Sequence, residues 1–169
     1  MPFELHPEIP LAGLDVNPSR YGRFAALAAE VGLAFTAPQR VPNSRRALAS
    51  AEWVRQQWPG AFTALDSALF AAYWVEGRDI GDPAVIDELV AAAGADAAAV
   101  RAAVEAGSVL PALKASMETA YDAGVTGTPA WLIDGRALVP GYQSVDLFER
   151  VVDRTYPGLF DRPGSDPAE

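Results

Sequence analysis

Cysteine is absent from these 169 residues, and histidine occurs once, as His6. The first absence excludes disulfides, thiolate nucleophiles and cysteine metal sites built from these residues. The second removes support for a zinc site or a Ser-His-Asp triad, both of which need more imidazole than one incidental ring supplies. Positive charge is also scarce: 13 Lys and Arg stand against 22 Asp and Glu, a formal net charge of -9. Nucleic-acid binding rests on neutralising phosphates, so no such partner is expected. Arg45-Arg46 reads as a solvated helix face. No apolar run approaches the ~20 residues that span a bilayer. No basic segment with an apolar core opens the chain either, so no membrane association and a cytoplasmic location are expected.

What is present is ordinary for a globular domain: 50% hydrophobic and 21% charged residues, with a length that suits one domain or one domain carrying a large insertion. Phe3 and Leu5 alternate around Glu4, which reads as the end of a strand. Phe24, Leu27, Ala28 and Val31 fall at helical spacing before Gly32, and Leu33 to Thr36 reads as extended. Asn43 or Ser44 can cap a helix reaching about Trp58, with Pro59-Gly60 as its stop. A second helix, from about Phe62 to Glu76, places Leu65, Leu69, Phe70 and Tyr73 inside. Asp82-Pro83 is a capping carboxylate followed by proline at the first helical position. Ile86, Leu89, Val90 and Ala93 form the face of the helix it starts. Asp96 opens a short helix through Val100, Ala103 and Val104. Ser108 opens another with Leu110, Leu113, Met117 and Tyr121 in line. Short loops imply that these helices pack as a bundle.

After Gly124 the period changes. Ala130 to Ile133 reads as a strand, Asp134-Gly135 as a tight hairpin turn and Ala137 to Val139 as the partner strand. Ser144 caps a last helix with Val145, Phe148 and Val152 on one face. Residues 157–169 read as a frayed tail. The stretches PFELHPEIP, VPNSRRAL, ALFAAYWVEGRDIGDP and AGVTGTPAWLIDGRALVPGYQ, in this order, resemble the DsbA family of thioredoxin-like oxidoreductases. The chain is most similar to its cytosolic FrnE-like branch, which is related to 2-hydroxychromene-2-carboxylate isomerases and kappa-class glutathione transferases.

The resemblance implies an α/β thioredoxin-like fold: residues 1–42 and 124–156 form an incomplete thioredoxin-like domain, and 43–123 an all-helical insertion. It implies a cis peptide before Pro129, where Thr128, flanked by Gly127, presents its N–H and C=O to an extended peptide or small thiol. Gln143 lies beside the same cleft by resemblance, although a helix-entry turn accounts for the Gly141-Tyr142-Gln143 segment equally well. Asn43 is either a cleft residue or a helix cap. Trp53, Trp58, Tyr73 and Trp74 line a pocket or belong to the core.

Family members begin with a strand and a helix bearing C-x-x-C or, in the isomerases and transferases, a serine that helps activate glutathione. The resemblance aligns Met1-Pro2-Phe3 with the middle of the second strand, so a truncated, redox-inert chain with no catalytic residue, cofactor or metal is expected. The strand position between PFEL and Trp131-Leu132 would then be filled by PFEL moving inward, by a homodimer partner or by an upstream segment. Two alternatives remain open: a glutathione-dependent isomerase or transferase, and a non-catalytic peptide-binding or dimerisation module.

Overall fold

The computed structural model describes residues 2–157 and divides into two compact units, Met1–Glu118 and Thr119–Glu169. The tail expected beyond Pro157 lies outside the described residues. In the first unit, β1 (Leu14–Asp15) pairs antiparallel with β2 (Arg40–Val41), and Arg40 donates to the Asp15 carboxylate at 2.8 Å. A 3-10 turn over Pro18–Tyr21, capped by the Asn17 side chain, leads into α1 (Gly22–Glu30).

Four helices then build the core: α2 (Arg45–Gln57), α3 (Pro59–Trp74), α4 (Pro83–Ala92) and α5 (Ala97–Glu105). Val54, Leu65, Leu69, Ile86, Leu89, Val90 and Val100 meet in one buried cluster, and alanines 47, 61, 72 and 95 let the helices approach closely. Local chemistry sets the starts of α4 and α5. The Asp82 carboxylate accepts from the Ala84 amide at 2.8 Å and Asp96 from Ala99 at 3.0 Å, each satisfying one orphan donor of a first turn. A fifth helix, α6 (Leu110–Asp122), belongs to this unit through Glu118.

Several expectations are corrected. α2 ends at Gln57, just before Pro59-Gly60 as expected, but the next helix does not wait for Phe62: Pro59 itself begins α3, because proline at the first helical position has no amide bond to lose. Phe70 is 61% exposed: the buried positions of α3 step through Leu65, Leu69 and Ala72, and position 70 falls off that stripe. Leu110 and Tyr121 at the ends of α6 are likewise exposed, while Ser116 is the buried residue of that helix.

PFEL is not a strand. Its backbone is bonded to side chains instead of a ladder: the Glu4 amide donates to Met117 Sδ at 3.1 Å, and the Ser116 hydroxyl to the Pro2 carbonyl at 2.6 Å. Arg45 Nε grips both Glu4 oxygens at 3.0 and 3.2 Å. Leu33 to Thr36 forms no strand either. Its end closes α3, where the Thr36 amide donates to the Trp74 carbonyl at 2.7 Å and its hydroxyl to the Val75 carbonyl at 2.6 Å.

Glu52 is the charged residue of the core face, 5% exposed. Arg55 donates twice to its carboxylate, at 2.8 and 2.7 Å, and Gln56 once at 2.7 Å. The Arg55 hydrogen bonds hold the Glu52 carboxyl below the usual range, with help from Gln56 and the Arg55 charge, against the opposing cost of burial. A carboxylate whose pKa falls on folding stabilises the fold fully above its unfolded pKa of about 4.3 and loses that contribution as pH drops through the folded value. Glu52→Gln is therefore expected to cost about 1–2 kcal/mol at neutral pH, and the gap from wild type should begin to narrow below about pH 4.3 and close once pH has fallen through the lowered folded value. Urea melts of both proteins across that range check it; a gap independent of pH would refute the charge-based account.

The second unit holds β3 (Ala130–Ile133) and β4 (Ala137–Pro140), paired antiparallel with Trp131 opposite Val139. The Asp134-Gly135 turn has the expected form. Both residues have positive φ, +52° and +66°, as a type I′ turn requires, and the Arg136 amide donates to the Ile133 carbonyl at 3.0 Å. The other edge of β3 has no strand partner among the described residues. In α7 (Val145–Thr155) the Ser144 hydroxyl accepts from the Leu147 amide at 3.4 Å. Phe148 meets Trp131 edge to face with ring centres 4.9 Å apart. Val145, expected on the inner face, is 71% exposed because the first turn precedes the contact with the hairpin; Leu147, Phe148, Val151 and Val152 are half-buried instead.

Candidate functional site

The loop between α6 and β3 is built by backbone constraints. Gly124 takes φ +80° at the end of α6, a left-handed conformation that glycine adopts without steric cost. The Val125 amide then returns to the Ala120 carbonyl at 2.9 Å. Beyond it, the backbone groups of Thr126, Gly127 and Thr128 have no hydrogen-bond partner among the described residues. Thr128 and Pro129 are exposed, and the peptide joining them is cis. The Pro129 carbonyl accepts from the Gly141 amide at 2.8 Å, which brings the segment after β4 alongside the loop.

Gly141 has φ +73°, so a turn requirement accounts for glycine there. Tyr142 is 72% exposed. Gln143 donates through Nε2 to the Pro140 carbonyl at 2.7 Å, which holds its side chain against the end of β4. Gly127, Thr128, Pro129 and Gln143 thus all sit in one unit, on two segments joined by the Pro129–Gly141 hydrogen bond. The combination presents three consecutive residues of unpaired main chain directly ahead of a strand.

Asn43 lies in the other unit and is buried. Its Nδ2 donates to the Ile9 carbonyl at 2.6 Å and its Oδ1 accepts from the Arg45 amide at 3.1 Å, so the side chain fastens residues 2–9 to the start of α2. Ser44, although in the N-cap position, makes no side-chain cap bond. Trp53 and Trp58 pack against the helical core. Tyr73 and Trp74 join an aromatic cluster with Tyr21 and Phe35, and burial pushes the Tyr73 hydroxyl well above its ordinary pKa. Its proton is donated to the Arg40 carbonyl at 3.1 Å. His6 pairs with Glu8 at 3.0 Å on the surface. Among the described residues no group of His, Cys, Asp and Glu is placed to hold a metal ion, and no helix is long and apolar enough to cross a membrane.

A helix-rich α/β chain with a proline-led hairpin behind a helical block defines the class: a thioredoxin-like protein of DsbA type. The description DSBA-like thioredoxin domain matches residues 2–153, and the chain belongs to that family. It is 27% identical over 159 residues to the Bacillus subtilis (strain 168) protein YwbO, covering 90% of this chain and 78% of that one. Its fold is similar to the crystal structure of the probable DsbA oxidoreductase SCO1869 from Streptomyces coelicolor. The TM-score is 0.78 at 22% identity, over 91% of this chain and 73% of the other.

Proposed function

We propose that this chain acts within the thiol–disulfide oxidoreductase family, in its FrnE-like branch, as a ligand-holding component that supplies no redox cysteine of its own. Residues 1–42 and 124–156 would together make the thioredoxin-like portion. The observation that carries the proposal is the main chain of residues 126–128, unpaired among the described residues and leading through Pro129 into β3, with Thr126 and Thr128 exposed and Gly127 half-buried. Such a segment receives an extended peptide as an added strand would be received, through alternating N–H and C=O groups. The Thr128 N–H and C=O are the central pair of this contact. Gln143 Oε1 stands as a further acceptor at its border, since the Nε2 group is already committed to Pro140.

Disulfide exchange proceeds by attack of a thiolate on a disulfide sulfur. None of these 169 residues is cysteine, so both sulfur partners must come from outside these residues. The test has two arms. The purified chain, mixed with insulin and reduced glutathione, is expected to add nothing to the uncatalysed rate of insulin reduction. S-alkylated insulin B chain, titrated into the labelled protein, should shift the amide resonances of Thr126, Gly127, Thr128 and Gly141. Catalysis by this chain alone would overturn its redox inertness, and shifts confined to other residues would overturn the assignment of the site.

A further inference from the structure

A cavity of about 310 Å³ opens among the helices of the first unit. It is at the small end of the range for ligand cavities, about 300–1,000 Å³. Ala49 and Val109 at its wall are 4% and 1% exposed, Val104 is half-buried, and Leu110 and Leu11 form an exposed apolar rim at 54% and 84%. Against this lining stand two arginines with different commitments. Arg45 spends its Nε on the Glu4 carboxylate. Arg46, with its side chain 31% exposed, makes no hydrogen bond to any described residue, and its nearest carboxylate oxygen, on Glu105, is 3.9 Å away.

A guanidinium offers five N–H donors; beyond the Glu105 ion pair at 3.9 Å, those of Arg46 are left to solvent or to a ligand's acceptor. The first turn of α2 adds to the imbalance. It contains no acidic residue, Ser44 gives it no side-chain cap, and the Arg46 amide has no acceptor among the described residues. The positive end of a helix favours an anion at this position. The charge nearby is limited, however, because Glu4 and Glu105 stand on either side of the arginine pair. A polyanion would meet both of them; a single carboxylate on a hydrocarbon body satisfies Arg46 and fills the apolar wall.

We propose that this cavity binds a small amphipathic monocarboxylate, its carboxylate on Arg46 and its hydrocarbon among Leu11, Ala49, Val104, Val109 and Leu110. The volume suits a body on the order of ten heavy atoms. The lining shares no residue with the loop at Thr128, and the proposal stands whether or not that loop holds peptide.

Octanoate, 1-octanol and acetate, titrated into the whole chain by calorimetry and NMR, separate the contributions. Octanoate is expected to bind at least about tenfold more tightly than 1-octanol, which has the same body without the charge, and acetate is expected not to bind measurably. Octanoate should shift the Arg46, Ala49, Val104 and Val109 amides. Arg46→Gln should weaken octanoate about tenfold and leave 1-octanol unchanged. Equal affinity for octanoate and 1-octanol in the wild-type protein would overturn the proposal, as would tight acetate binding or shifts confined to other residues. A folded Arg46→Gln variant with undiminished octanoate affinity would do the same. The wild-type comparison decides the matter even where the variant does not fold.

Discussion

Leu65→Ala is expected to lower the stability of the helical unit by about 3 kcal/mol, the largest effect of any single truncation considered for this chain. Leu65 is fully buried at the centre of the cluster formed by α2, α3, α4 and α5. Removing its branched end forfeits the transfer free energy of the lost carbons and leaves a void that four packed helices cannot close completely. The informative control is Phe70→Ala, one turn along the same helix. Phe70 is the larger residue, but it is 61% exposed, so its truncation should cost less than about 1 kcal/mol. Urea denaturation followed by circular dichroism measures both. Comparable losses would mean that α3 turns a different face to the core.

Thr128→Pro is expected to weaken binding of S-alkylated insulin B chain by at least about tenfold, roughly 1.4 kcal/mol. Proline removes the unpaired amide hydrogen of this exposed residue. It breaks no hydrogen bond of the folded chain, because that N–H has no partner among the described residues. Thr128→Ala keeps the main chain and deletes the hydroxyl and methyl, so its affinity should stay within about twofold of wild type, well under the net worth of one hydrogen bond. Amide spectra of β3 and β4 would report whether the hairpin survives in each variant. Should alanine weaken binding as much as proline does, the side chain and not the backbone would be the recognition element.

Elements whose information is local were legible in the sequence. Asp82-Pro83 and Asp96 start helices because each carboxylate reaches an amide two or three residues on. Asp134-Gly135 makes its turn because both positions accept positive φ. The alternation in PFEL misled for the opposite reason. A strand exists only when another strand supplies its ladder, and here α6 side chains more than a hundred residues away take those backbone groups.

The site divides along the same line. Gly127, Thr128 and Pro129 stand out through glycine, proline and the strand that follows. That Gly141 bonds Pro129 is set by the hairpin register, which spacing alone does not show. Arg46 reads as half of a solvated basic pair; only the packed helices reveal that Glu4 takes Arg45 and leaves its neighbour at a cavity wall.

The bonds that bind Pro2 and Glu4 to Ser116 and Met117 also bear on the order of events during synthesis. They join residues separated by 114 and 113 positions, whereas the helices of the core follow one another through short loops. Contacts between near neighbours form before those that close long loops. As the chain leaves the ribosome, α2 to α5 can assemble while residues 2–9 still await the segment that will hold them. Residues 2–9 thus leave the ribosome ahead of the core helices yet are secured after them.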